Sequence, residues 1–209
     1  MAGEAGVRIT AGRHKGRRLA VPPGLTVRPT ADRARQALFN MLAHGGHELA
    51  SDIPGNMLRD ANVVDLFAGT GALGLEALSR GAAHVVFIEQ AAPALEALRA
   101  NITTLGDSVR TRVMPGDASR LRRRPADLPP ATLVFLDPPY DTGLVAPALS
   151  SLVAADWLAD VAVIAVECAT GDTGWEAAAT SLGYGVLRRR RYGAADVVIL
   201  RWSRPDSTL

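Results

Sequence analysis

Asp137-Pro138-Pro139-Tyr140 follows an apolar run, Leu133-Val134-Phe135-Leu136. Consecutive prolines fix the backbone and remove two N–H donors. The Asp137 carboxylate and the Pro138 carbonyl are left as acceptors with no competing local donor. An exocyclic amino group has two hydrogens to give, and its lone pair is delocalised into its ring. Two acceptors holding both hydrogens would aim the nitrogen at an electrophile and raise its electron density. Tyr140 offers a face on which an extruded base can stack. Such catalysis is positioning plus electrostatics, with Asp137 a later proton acceptor. The competing structural reading is a Pro-rich turn that ends a buried strand.

A second motif lies upstream. Val63-Val64-Asp65-Leu66-Phe67-Ala68-Gly69-Thr70-Gly71-Ala72-Leu73-Gly74 places Gly69-x-Gly71-x-x-Gly74 between a strand and a helix. Glycines there permit a tight turn and close backbone approach to a ligand. Glu89 ends the next apolar run, where a carboxylate can accept ribose hydroxyls. An adenosine-containing cofactor follows from strand, loop, helix and acid together. NAD is one candidate, but Asp65 before the loop would repel a pyrophosphate and attract the amino group of a methionine moiety. The chain's one lysine, Lys15, lies far from the loop, so no lysine proton donor of the dehydrogenase kind stands near it. S-Adenosylmethionine is favoured. Asp117, with Ala118 after it, follows a third apolar run and can bond an adenine amino group; a helix cap is its structural alternative.

These residues need a frame. Short apolar runs at 62–67, 84–88, 110–114, 132–136 and 161–167 predict strands, with helices over 72–79, 93–105 and 145–154. Strand–helix alternation with continuous apolar strands predicts a parallel sheet covered on both faces. Runs at 183–190 and 197–202 predict a closing antiparallel hairpin. Before the first run, 7–11 and 17–21 predict a hairpin with a basic tip at Gly12 to Gly16. Thr30 is the expected N-cap of a helix reaching about Leu42, and residues 45–60 read as a polar linker. The expected division is an extension over 1–45 and an α/β domain over 46–209.

The formal net charge is only +2, but it is unevenly spread. Residues 1–40 hold eight basic residues against Glu4 and Asp32, and the rest of the chain is net acidic. A basic arm on an acidic body suggests a polyanionic partner, with a solvated surface segment as the alternative. Arg13, His14, Lys15, Arg17 and Arg18 at the tip could neutralise phosphates, and Arg28 and Arg33 could reach toward the site. The four-arginine run 188–191 reads first as an exposed strand edge, because its side chains alternate faces. With one cysteine, Cys168, the chain can form no intrachain disulfide and no cysteine-based zinc site. The four histidines form no metal set. No secretory segment and no membrane span is evident, so a cytoplasmic setting is expected.

Taken in order, Asp-Leu-Phe-Ala-Gly-Thr-Gly, Glu89 and Asp-Pro-Pro-Tyr resemble a class I S-adenosylmethionine-dependent amino-methyltransferase. More narrowly, the chain resembles the RsmD family of 16S rRNA guanine-N2 methyltransferases from Arg8 to Arg201. The likeness includes Arg8-Ile9-Thr10-Ala11-Gly12, Gly16-Arg17-Arg18-Leu19, Arg28-Pro29-Thr30-Ala31-Asp32-Arg33-Ala34-Arg35 and Gly69-Thr70-Gly71-Ala72-Leu73-Gly74-Leu75-Glu76. It implies a seven-stranded, Rossmann-like, doubly wound sheet with a small N-terminal extension. It also implies methyl transfer to the exocyclic N2 of a guanine in 16S rRNA, within the small ribosomal subunit or its assembly intermediate. Asp137, Pro138, Pro139 and Tyr140 would hold the base. Asp65, Phe67, Gly69, Thr70, Gly71, Glu89, Asp117 and Ala118 would surround the cofactor. No metal is implied, and a monomer is expected. Competing readings are a DNA amino-methyltransferase, for which the chain has little room to carry a DNA-reading domain, a nucleic-acid-binding protein that keeps only the fold, and a protein glutamine methyltransferase.

Overall fold

The apolar runs assemble into one seven-stranded sheet. The computed structural model describes residues 7–22, 29–45, 53, 55–140 and 142–205. The strands are β1 (Asn62–Leu66), β2 (His84–Glu89), β3 (Thr111–Pro115), β4 (Ala131–Leu136), β5 (Leu158–Ala169), β6 (Tyr184–Tyr192) and β7 (Ala195–Ser203). Their order is β3-β2-β1-β4-β5-β7-β6. The first five pair in parallel, and β7 runs antiparallel to both β5 and β6. From β1 the chain winds outward through β2 and β3, then returns to lay β4 and β5 on β1's other side. The order therefore reverses between β1 and β4, and such a reversal opens a crevice at the strands' carboxyl ends.

The helices are α1 (Pro29–His44), α2 (Ala72–Ser79), α3 (Ala92–Leu105), α4 (Val145–Ala154) and α5 (Glu176–Ser181). One hydrophobic cluster joins α1, α2 and α3 to one face of the sheet through Phe39, Leu42, Leu75, Leu98, Phe87 and Phe135. The second joins α4 to the other face through Leu149, Leu152, Val134, Ile164 and Trp157. Strands with both faces covered are apolar throughout, which is why β4 and β5 read as continuous runs. Trp157, Trp175 and Trp202 are buried as packing residues. Arm residues Val7, Ile9 and Leu19 belong to the first cluster, so the arm shares one core with the sheet.

Several expected boundaries move for physical reasons. The N-terminal hairpin forms without regular strands: besides the Arg8–Arg18 bridge, the amides of Ile9, Gly16 and Leu19 donate to the Arg17, Ile9 and Val7 carbonyls at 3.0, 2.8 and 2.9 Å. Thr10 and Ala11 send their amides to Glu76 instead of a partner strand, at 2.7 and 3.1 Å. Helix α1 starts at Pro29, not after Thr30, since proline at a first helical position sacrifices no hydrogen bond. β1 stops at Leu66 because Phe67 adopts φ +58. The stretch 45–60 is more than a polar linker: Ile53, Met57 and Leu58 are buried in the core, while 46–52 and Pro54 lie outside the described residues. β5 extends from Leu158 to Ala169, and the six-residue α5 was not anticipated. Too short to display an amphipathic period, α5 also has no side-chain cap.

Candidate active site

The glycine loop follows β1 and the Asp-Pro-Pro-Tyr turn follows β4, one on each side of the reversal. Register pairs Leu66 with Leu136 and Leu136 with Val166. The residues that follow, Phe67, Asp137 and Glu167, therefore come at neighbouring positions: Phe67 and Asp137 leave β1 and β4, while Glu167 stays in β5 opposite Val197. In the loop, Phe67 (φ +58), Gly69 (φ +54) and Gly71 (φ +85) lie in the left-handed region. For Phe67 this conformation is costly and is held by its surroundings. A Cβ on Gly74 would sit 2.3 Å from Phe87 Cε1, so this glycine lets α2 press onto β2. A Cβ on Gly69 would meet open space, which leaves the backbone approachable there.

Glu89 clamps the loop. Its Oε2 accepts the Gly69 N–H at 2.8 Å, and its Oε1 accepts those of Gln90 and Ala91 at 2.8 and 2.7 Å. A carboxylate has about four acceptor sites, so one stays open for a ligand hydroxyl. Asp65 is almost wholly buried, and its Oδ2 accepts the Gly74 N–H at 2.9 Å. Burial pushes its pKa up to about 8 against the lowering effect of the Gly74 bond, and the charge of Glu89 raises it further. Asp117 folds back on its own loop: Oδ1 accepts the amide and hydroxyl of Ser119 at 2.8 and 2.7 Å. The Ser119 hydroxyl and amide bonds hold it below the usual carboxylate range. An open pocket of about 230 Å³ lies beside Asp117, lined by Ile88, Met114, Gly116 and Leu121 among others. Ala118 is buried next to it.

In the second loop, burial raises the Asp137 pKa well above its ordinary value, and the charges of Glu167 and Asp65 raise it further. The Tyr140 hydroxyl donates to Glu167 Oε1 at 2.8 Å, fixing the aromatic ring across the turn. Burial also raises the Glu167 pKa, opposed by that hydrogen bond. Four acids therefore lie at or near the carboxyl ends of four adjacent parallel strands: Asp65, Glu89, Asp137 and Glu167. Glu167 was missed in the sequence, although an acid closing an apolar run is the pattern that marks Glu89. Among the described residues, no group of three or more His, Cys, Asp or Glu could hold a metal ion.

The basic tip proves to be docked. Arg13 forms an ion pair with buried Asp107, and His14 Nε2 lies 2.9 Å from the same carboxylate. Arg17 donates to the Thr104 carbonyl at 2.9 Å. Lys15 and Arg18 stay exposed. Arg28 and the Arg33 side chain lie outside the described residues. Of the arginine run, Arg189 is held by Asp196 and Glu176 on edge strand β6. Two further residues tie the arm to the body. Buried Glu76 accepts from Thr10, Ala11 and Arg80. Buried Asn101 exchanges hydrogen bonds with the Ala20 backbone and donates to the Thr70 carbonyl of the glycine loop at 3.0 Å.

The family described as "Conserved hypothetical protein 95" matches residues 7–201. The Escherichia coli (strain K12) protein named Ribosomal RNA small subunit methyltransferase D is 35% identical over 204 residues, covering 93% of this chain and 96% of that one. Its Haemophilus influenzae namesake is 36% identical over 162 residues, covering 77% and 78%. The solved structure of yhhF from Escherichia coli superposes with a TM-score of 0.75 at 33% identity, over 96% of this chain and 99% of that chain. Likeness on this scale reaches from the docked arm through the closing hairpin, and the chain belongs to the family of the ribosomal RNA small subunit methyltransferases D.

Proposed function

We propose that this chain transfers a methyl group from S-adenosylmethionine to the exocyclic N2 of a guanine in 16S rRNA, acting in the cytoplasm on the small subunit or an assembly intermediate. The observation that carries the reading is the pairing of two loops across the sheet's reversal. One has a ligand-approachable backbone clamped by Glu89, and the other presents Asp137 and Pro138 as acceptors. The loops fit the cofactor. Open space at Gly69 admits it, the remaining acceptor site of Glu89 suits a ribose hydroxyl, and the pocket beside Asp117, lined by Ile88, Met114 and Leu121 as well as Arg120 and Arg122, has room for an adenine. A cation bound beside the loop would favour the ionised form of Asp65 over the protonated one that burial imposes. When bound, S-adenosylmethionine supplies a methyl group made electrophilic by its sulfonium.

The chain's own residues do the rest. Asp137 and the Pro138 carbonyl take the two hydrogens of the amino group and orient its nitrogen. Pro139 keeps the turn rigid, and Tyr140 supplies the stacking face. Burial raises the proton affinity of Asp137, which suits it to receive the proton released on methylation. Lys15 and Arg18 are the tip residues available for phosphate contact, whereas Arg13 and His14 hold the arm in place.

The test is transfer of labelled methyl to small subunits, free 16S rRNA and DNA in parallel, followed by nucleoside analysis. Label in N2-methylguanosine from ribosomal substrates is expected. Label in DNA alone, or in no nucleic acid, would overturn the reading.

A further inference from the structure

Glu167 has no task in the mechanism above, yet it is fixed beside the reacting group. It lies one step beyond the Leu136–Val166 pair, level with Asp137 where β4 ends, within a β5 that runs on to Ala169. Oε1 is held by the Tyr140 hydroxyl at 2.8 Å, while Oε2 takes no hydrogen bond among the described residues. Its charge acts on Asp137, second only to burial. A carboxylate fixed at one oxygen and open at the other is a directed acceptor.

The purines differ in what they would bring to it. Guanine carries N1–H next to its 2-amino group, so its edge presents three hydrogens in a row. Asp137 and Pro138 account for two of them, and any exocyclic amino group would satisfy that pair. A purine whose N1 is unprotonated would turn a lone pair toward the third acceptor.

We infer that Glu167, oriented by Tyr140, accepts the N1–H of the target guanine through Oε2 and is the specificity-determining residue of the site. The inference rests on the proposed guanine-N2 reaction. A base is read by hydrogen bonds along its Watson–Crick edge once it is extruded. A site built around a donor strongly rejects the analogue that lacks it, because the buried acceptor then goes unpaired.

2-Aminopurine separates the two requirements: it keeps the 2-amino group and lacks N1–H. The guanosine labelled by the wild-type protein is mapped, and subunits are reconstituted with 2-aminopurine at that position. Single-turnover methyl transfer is then compared on the two substrates. Wild type is expected to favour guanine by about 10- to 100-fold. Glu167→Gln should shrink that ratio several-fold, losing rate on guanine and gaining on 2-aminopurine, since its amide can donate to N1. Melting temperature and S-adenosylmethionine affinity serve as folding controls. Should that variant fail to fold, Tyr140→Phe reads the same ratio, because it keeps the ring and releases the carboxylate; a several-fold fall is expected. A ratio unchanged in the folded variants, with both rates lowered equally, would overturn the inference and make Glu167 structural. Wild-type protein that leaves no label on guanine N2 would instead overturn the underlying reading.

Discussion

Asp65 shows what burial does to a single acid in this site. Its carboxyl accepts the Gly74 amide and has its pKa pushed up to about 8. In the unfolded chain an aspartate titrates near 3.9, so between these values the folded state holds the proton more tightly. The stabilisation from protonated Asp65 is complete below the unfolded value and is lost as pH rises through about 8. Asp65→Asn keeps an oxygen for the Gly74 N–H and removes the titration. Urea unfolding from pH 5 to 8.5 should show the variant gaining on wild type as pH rises, and parallel curves would contradict that account. Asp65, Glu89, Asp137 and Tyr140 stood out in the sequence because each sits next to a glycine or proline signature or closes an apolar run. Glu167 closes such a run with no flanking signature, and its partnership with Tyr140 spans 27 residues, beyond any local pattern.

At the level of elements, the arm is anchored by long-range polar bonds that periodicity does not register. Asn101 on α3 links Ala20 of the arm to Thr70 of the glycine loop while being almost wholly buried. Asn101→Ala would strand three backbone groups and should cost about 2–3 kcal/mol in urea unfolding. A loss below about 0.5 kcal/mol would mean that the network contributes little. The tip divides by task. Lys15→Ala with Arg18→Ala should weaken RNA binding and lower its salt slope by about 1 per residue, leaving melting temperature and cofactor affinity unchanged. Arg13→Ala should lower the melting temperature, because Asp107 would lose a cation partner. The opposite pattern would reverse these assignments. Helices α2 and α4 were legible to the residue from their apolar spacing and flanking residues. The hairpin of the arm was legible too, but its docking was not, because Thr10, Ala11 and Ala20 bond with side chains of the body far along the chain.

On the scale of the whole molecule, the fold sets two unrelated sequence motifs against each other. The last residues of β1 and β4, Leu66 and Leu136, are 70 positions apart in the chain, yet they pair directly. Alternating strands and helices made the sheet legible, and the antiparallel hairpin followed from its turn. The sharing of one core by arm and sheet was hidden, since it depends on which helix face meets which strand. The +2 net charge also resolves into separate functions: acids gather at the strand ends, and the arm's cations are split between docking and exposure. The claim that the Asp137–Pro138 acceptor pair performs the transfer is tested most directly by Asp137→Ala, assayed for single-turnover methylation of small subunits and for S-adenosylmethionine affinity. Transfer should fall by at least about 100-fold while affinity stays within about threefold; near-normal transfer would contradict the account.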